Sequence, residues 1–141
     1  MSYRYLENIA TADAAFEVEA DDLNQLFRES AEATFAIMTG LSAIKPESHK
    51  AIKLSAEKID QLLFDWLSEL VYLMDKEQII FSKFEVRIKK NKLYELEAKA
   101  WGDKIDVKKQ DLKAEVKAIT YHQFKVEQRG ESWYARVVVD I

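Results

Sequence analysis

The chain has 141 residues, with 21 Lys and Arg against 25 Asp and Glu, a formal net charge of −4 and 48% hydrophobic residues. It contains no cysteine, which excludes a disulfide framework, a Cys-ligated zinc, an iron–sulfur cluster and a thiol nucleophile. No apolar run approaches the roughly 20 residues that span a bilayer, and the first residues, MSYRYLENIA, lack the basic-then-apolar pattern of a secretion signal. The acidic balance argues against general nucleic-acid affinity, which rests on neutralising phosphates. The expectation is a cytoplasmic protein with no membrane contact and no direct nucleic-acid partner.

Gly40, Gly102 and Gly130 are the only glycines and Pro46 the only proline, too few to build a flexible linker, so residues 1–141 are expected to form a single domain. Residues Ala15 to Ala20 alternate, with Phe16 and Val18 against Glu17 and Glu19, as a half-buried strand does. The period then changes. Leu23, Leu26, Phe27, Phe35, Met38 and Leu41 fall at three- and four-residue spacings and predict a helix with one apolar stripe. Asp22 followed by Gln25 makes a capping box, and Gly40 stands where a C-terminal cap glycine is expected. After Pro46 a short strand is predicted around Lys50–Leu54. A second helix follows from Ser55 as N-cap, its broad apolar face made by Ile59, Leu62, Leu63, Trp66, Leu67, Leu70, Val71 and Met74.

The remainder reads as strands. Phe84, Val86 and Ile88 alternate with charged residues, the Lys89–Lys92 turn leads into Leu93–Trp101, and a charged loop runs from Gly102 to Lys113. Val116–Gln128 and Ser132–Ile141 form a hairpin around Arg129-Gly130-Glu131. In the last strand Tyr134, Arg136, Val138 and Asp140 share one face. Two helices among six or seven strands predict an α+β fold, with both helices on one face of a largely antiparallel or mixed sheet in a two-layer domain.

Glycine-rich phosphate loops and the GxSxG, HExxH and EF-hand patterns are all absent. With His49 and His122 the only histidines, a multi-histidine metal site is not expected. Three polar features remain. Thr11-Ala12-Asp13 places a carboxylate at the entrance of the early strand, and Asp140-Ile141 places another at the last position but one. Each reads most simply as a solvated aspartate. If Asp13 approached Asp140 and the oxygens of Ile141, however, several hard donors would converge without a cation, an arrangement that suits Ca²⁺ or Mg²⁺. The third feature is His122 in the run from Glu115, either a structural group or a general acid or base.

Four blocks together resemble the archease family: Tyr5-Leu-Glu with Thr11-Ala-Asp13; Leu62 to Asp75 on the second helix; Glu115-Val-Lys-Ala-Ile-Thr-Tyr-His122; and Val137-Val-Val-Asp-Ile141. The resemblance implies a non-catalytic cytoplasmic protein that activates a GTP-dependent RNA ligase of the RtcB type in tRNA splicing and RNA repair. It implies that this helper promotes guanylylation and turnover of the ligase. It further implies a divalent metal site on Asp13, Asp140 and the backbone oxygen of Ile141, with Ca²⁺ in the first place and Mg²⁺ or Mn²⁺ as alternatives. The chain departs from the family's usual His-Thr-Ala-Asp by reading Asn8-Ile-Ala-Thr-Ala-Asp13. It also has Gln110, Lys113 and Ala114 where a histidine and a Gly-Thr pair are usual. Two other readings compete: a small hydrolase using His122 with a carboxylate, and a general chaperone-like module with a large exposed apolar patch.

Overall fold

A computed structural model describes residues 2–7, 13–108 and 110–141. Strand β1 (Ser2–Leu6) pairs with β2 (Asp13–Ala20), and helix α1 (Leu23–Ala36) follows. Then come β3 (Ser48–Ala56), helix α2 (Ile59–Glu77), β4 (Ile79–Lys90), β5 (Tyr94–Lys104), β6 (Ala118–Arg129) and β7 (Ser132–Asp140). The strands form two sheets, one in the order β1-β2-β7-β6 and the other in the order β3-β5-β4. Every described pairing is antiparallel. The α+β expectation holds, and the sheet predicted as one resolves into two, with both helices contacting both of them. No helix among the described residues is long and apolar enough to cross a membrane.

The core lies where the helices meet the inner faces of the sheets. Phe16 and Val18 from β2, Val137 and Val139 from β7, and Leu96 and Ala100 from β5 are all buried there. Trp66 of α2 is fully buried, and its indole N–H donates to the Phe27 carbonyl oxygen at 3.0 Å, joining the two helices. Burying an indole requires such a partner, because an unmade hydrogen bond costs about 1–3 kcal/mol. At the start of α1 the Asp22 carboxylate accepts from the Gln25 N–H at 2.8 Å, as the capping pattern predicts. The return bond goes from the Asp21 N–H to the Gln25 side chain, one residue earlier than in a reciprocal box.

Two helix limits differ from the sequence reading. The first helix ends at Ala36, and Gly40 has φ −66°, so it leads into a single 3-10 turn (Leu41–Ala43) and is no left-handed cap. Ser55 belongs to β3, opposite Glu95, and the second helix starts after Lys58, which caps nothing with its side chain. The alternation of β3 continues through Ser55 and outweighs its capping propensity. At the other end of α2, Gln78 takes the left-handed conformation (φ 54°) and its N–H closes on the Met74 carbonyl, which releases the chain directly into β4.

Candidate functional site

Asp13 opens β2 and Asp140 ends β7, and the register makes them direct Cα partners. Directly opposed residues of an antiparallel pair point to one face of the sheet, with Cβ atoms about 4.5–5.5 Å apart. The register thus sets side by side, in adjacent strands, two aspartates separated by nearly the whole chain. On the other side of Asp140 stands Ala118 of β6, and the Lys117 N–H donates to the Asp140 carbonyl at 2.8 Å. This bond anchors the main chain immediately before Ile141. Both aspartates and Ile141 are half-buried. Among the described residues, neither carboxylate lies within ion-pair distance of a basic side chain. Like charges facing each other across a ladder are destabilising in general, and a cation between them removes that cost. Thr11 and Ala12 of the same motif lie outside the described residues.

Further along this face the opposite holds. Tyr134 is buried and donates its hydroxyl to the Glu17 carboxylate at 2.7 Å, and the Arg4 guanidinium binds the same carboxylate. The Tyr134 hydrogen bond, followed by Arg4, holds the Glu17 carboxyl below the usual range. The Arg129 guanidinium stacks 3.6 Å from the Tyr134 ring centroid, and Arg136 donates to the Gln123 side chain at 2.6 Å. The carboxylate of Glu17 therefore has a partner of opposite charge and a hydroxyl donor, whereas those of Asp13 and Asp140 have no basic partner among the described residues. Sequence reading missed the Glu17–Tyr134–Arg4 network. The alternation of β7 placed Tyr134 and Asp140 on one face, but no local signal says that β2 is the neighbouring strand.

His122 sits in a wide bulge of β6, where Tyr121 to Phe124 stand opposite Val137 alone and Gln123 is left-handed (φ 53°). The Tyr121 ring stacks on Phe64 of α2 at 3.8 Å between centroids, and Phe124 meets Phe64 edge-on at 5.5 Å. These contacts hold the bulge and leave His122 exposed, with no hydrogen bond from its ring among the described residues. A hydrolytic centre needs an acid and a nucleophile in reach of the imidazole, and among the described residues no ion pair joins His122 to a carboxylate. In the loop before β6, Gln110 is buried and acts as a staple. Its side chain accepts from the Asp106 N–H and donates to the Lys104 carbonyl, both at 2.9 Å.

Among the described residues no group of three or more His, Cys, Asp or Glu side chains is placed to hold a metal ion. The side-chain donors at the sheet end are therefore the two aspartates, with main-chain oxygens beside them.

Residues 3–141 match the model of the Archease protein family (MTH1598/TM1083). The chain is 37% identical over 131 residues to the protein archease of Sulfurisphaera tokodaii, covering 93% of this chain and 94% of the relative. It is 39% identical over 132 residues to that of Methanopyrus kandleri, with the same coverage. In structure it is similar to protein 1598 of Methanobacterium thermoautotrophicum, with a TM-score of 0.86, 33% identity and 99% of each chain covered. An archease of Thermotoga maritima, described as a possible chaperone, shares the fold with a TM-score of 0.58 at 23% identity, covering 93% of this chain and 92% of its own. On these matches, spanning nearly its full length, the chain belongs to the archease family.

Proposed function

We infer that this archease is a non-catalytic activator of a GTP-dependent, RtcB-type RNA ligase, promoting its guanylylation and turnover, and that it works through a divalent ion held at the end of the β2–β7 ladder. The observation that carries this reading is the facing pair Asp13 and Asp140, half-buried and without a basic partner among the described residues. A pair of carboxylates with an adjacent main-chain oxygen is a hard donor set that suits Ca²⁺ first, and Mg²⁺ or Mn²⁺ as alternatives. Asp13 and Asp140 would hold the ion with the Ile141 carbonyl oxygen. Two carboxylates and one carbonyl leave several of the six to eight positions around Ca²⁺ for water or for the partner. That vacancy suits an ion shared with, or handed to, a ligase.

The absence of cysteine fits a reducing cytoplasmic compartment, where such a ligase would act. The test is a guanylylation assay with the cognate ligase, GTP and limiting Mn²⁺. Wild-type protein should raise the rate of ligase–GMP formation, whereas Asp13→Asn and Asp140→Asn, still folded, should not. Absence of stimulation by the wild-type chain would refute the activator reading.

A further inference from the structure

We propose that the exposed face of the second sheet, β3-β5-β4, binds single-stranded RNA; this rests on the ligase reading above, which supplies RNA as the substrate class. Alternation along the three strands buries Ile52, Phe84, Val86, Leu96 and Ala100 toward the helices. The residues between them face outward, and register sets them in transverse rows. One row holds His49, Trp101 and Lys83, the next Ala51, Lys99 and Glu85. Lys53, Glu97 and Arg87 follow, and Ser55, Glu95 and Lys89 make the row nearest the hairpin turn. Two shallow clefts of about 500 and 360 Å³ run along this face and share Lys53, Arg87 and Glu97.

Charge and one aromatic ring decide the occupant. The strands and their hairpin (48–56 and 79–104) carry nine Lys or Arg against four Asp or Glu. Of these nine, only Lys50 and Lys53 lie within ion-pair distance of a carboxylate among the described residues, on Glu77 at 3.1 Å and on Glu97 at 3.8 Å. The two acids nearest the turn are already engaged, Glu97 by Lys53 and Glu95 by the Asn91 amide at 2.6 Å. Lys83, Arg87 and Lys89 thus stand along about 20 Å of β4 without ion-pair partners, Glu85 between them facing Lys99 across the ladder. Lys90 and Lys92 carry the positive charge around the turn. A track of this kind neutralises successive phosphates. At its far end the Lys83 ammonium lies 4.8 Å from the centroid of the half-buried Trp101 ring, with the His49 ring 6.4 Å away. A cationic track beside an aromatic ring is the combination that holds single strands, phosphates on the one and a base stacked on the other. The net charge of −4 governs attraction at a distance, whereas contact depends on this local surplus. Asp13 and Asp140 belong to the other sheet, so a ligase held there would leave this face free for the RNA it carries.

Fluorescence anisotropy of a labelled single-stranded RNA of about 12 nucleotides, titrated with the full chain, tests this directly. Affinity should fall with salt at a log–log slope of about −2, three phosphate contacts at about −0.7 each. The Arg87→Glu/Lys89→Glu double variant should bind roughly tenfold or more weakly, whereas Lys76→Glu on α2 should change affinity less than about twofold. Unchanged thermal melts would show that both variants remain folded. Inorganic polyphosphate, which offers charge without bases, should bind several-fold more weakly than the RNA. Equal affinity for polyphosphate, or undiminished RNA binding by the double variant, would overturn the RNA face. Guanylylation of the ligase, assayed without RNA, should be stimulated equally by wild type and double variant. Stimulation by a wild-type chain that binds no RNA would overturn the face and leave the activator reading standing. RNA binding without stimulation would refute the activator reading and leave the face.

Discussion

The Glu17 carboxylate shows how a single acid is accommodated on the outer face of the first sheet. It receives the Tyr134 hydroxyl and the Arg4 guanidinium, and its folded pKa lies below the usual value. A depressed carboxylate contributes stability that is complete above its unfolded pKa and is lost as the pH falls through the folded one. Glu32 has the opposite sign: burial raises its pKa, so its ionisation costs stability as the pH rises past the unfolded value. Glu17→Gln should therefore destabilise the protein at pH 7 by about 1 kcal/mol, the scale of a hydrogen bond to a charged group less its solvent screening. It should also flatten the loss of stability on acidification below the ordinary carboxylate range. Urea unfolding from pH 7 to pH 3 reads both effects. Equal acid sensitivity in wild type and variant would show that the network is not coupled to folding. None of this was legible in the sequence, because Glu17 and Tyr134 are brought together only by the pairing of β2 with β7. Asp13 and Asp140 were legible as residues, through the family blocks that contain them. Their convergence was implied by the family resemblance, but the register that makes them direct partners was not legible, since register between strands distant in sequence has no local signal.

At the scale of elements, the alternation of Phe84, Val86 and Ile88 and the hairpin around Gly130 (φ 62°) predicted β4, β6 and β7 to within a few residues. Periodicity is a property of the chain itself and survives folding. What failed were ends and breaks. Ser55 looked like a cap but continues a strand, and Gly40 looked like a cap but lies beyond the helix. The bulge at Tyr121–Phe124 had no sequence sign, because it is held by Phe64 on another element. Gly102 is the one glycine whose lack of a side chain decides an element. A Cβ there would overlap the Ile80 carbonyl oxygen and the adjoining backbone of β4, close to the shift in register between Phe81 and Lys83. Because backbone must move to admit it, Gly102→Ala should cost about 2–3 kcal/mol, at the upper end of ordinary overpacking. Chemical denaturation with an unchanged m-value would measure it. A loss below about 0.5 kcal/mol, the scale of ordinary surface substitutions, would mean that β4 yields at this point.

Over the whole molecule, the net charge of −4 hides a separation. The strands of the second sheet with their hairpin (48–56 and 79–104) hold nine Lys or Arg against four Asp or Glu, a balance of +5, which leaves −9 for the rest. The acidic remainder contains α2, Asp13 and Asp140. On the activator reading, a ligase that must be positive to hold RNA would be steered toward this part, and steering acts on the association rate more than on the final affinity. The association rate with the ligase should fall about tenfold or more between low and high salt, with a smaller change in dissociation. Stopped-flow mixing at several ionic strengths checks it, and a rate independent of salt would rule steering out. The sequence supplied the total charge and the α+β class, while the partition of charge emerged only once the strands had been assigned to two sheets.

Calcium titration followed by calorimetry addresses the acidic sheet end most directly. Wild-type protein should bind one Ca²⁺ per chain, and its unfolding free energy should rise by about 2.7 kcal/mol when the ion is present at a hundredfold excess over its dissociation constant. Asp140→Asn should show no such binding. In metal-free buffer the same variant should be at least as stable as wild type, because it removes a facing like charge whose cost is about 0.2–1 kcal/mol. Calcium binding by Asp140→Asn with wild-type affinity, or no binding of any divalent ion by the wild-type chain, would contradict the assignment of Asp13 and Asp140 as the metal-holding pair.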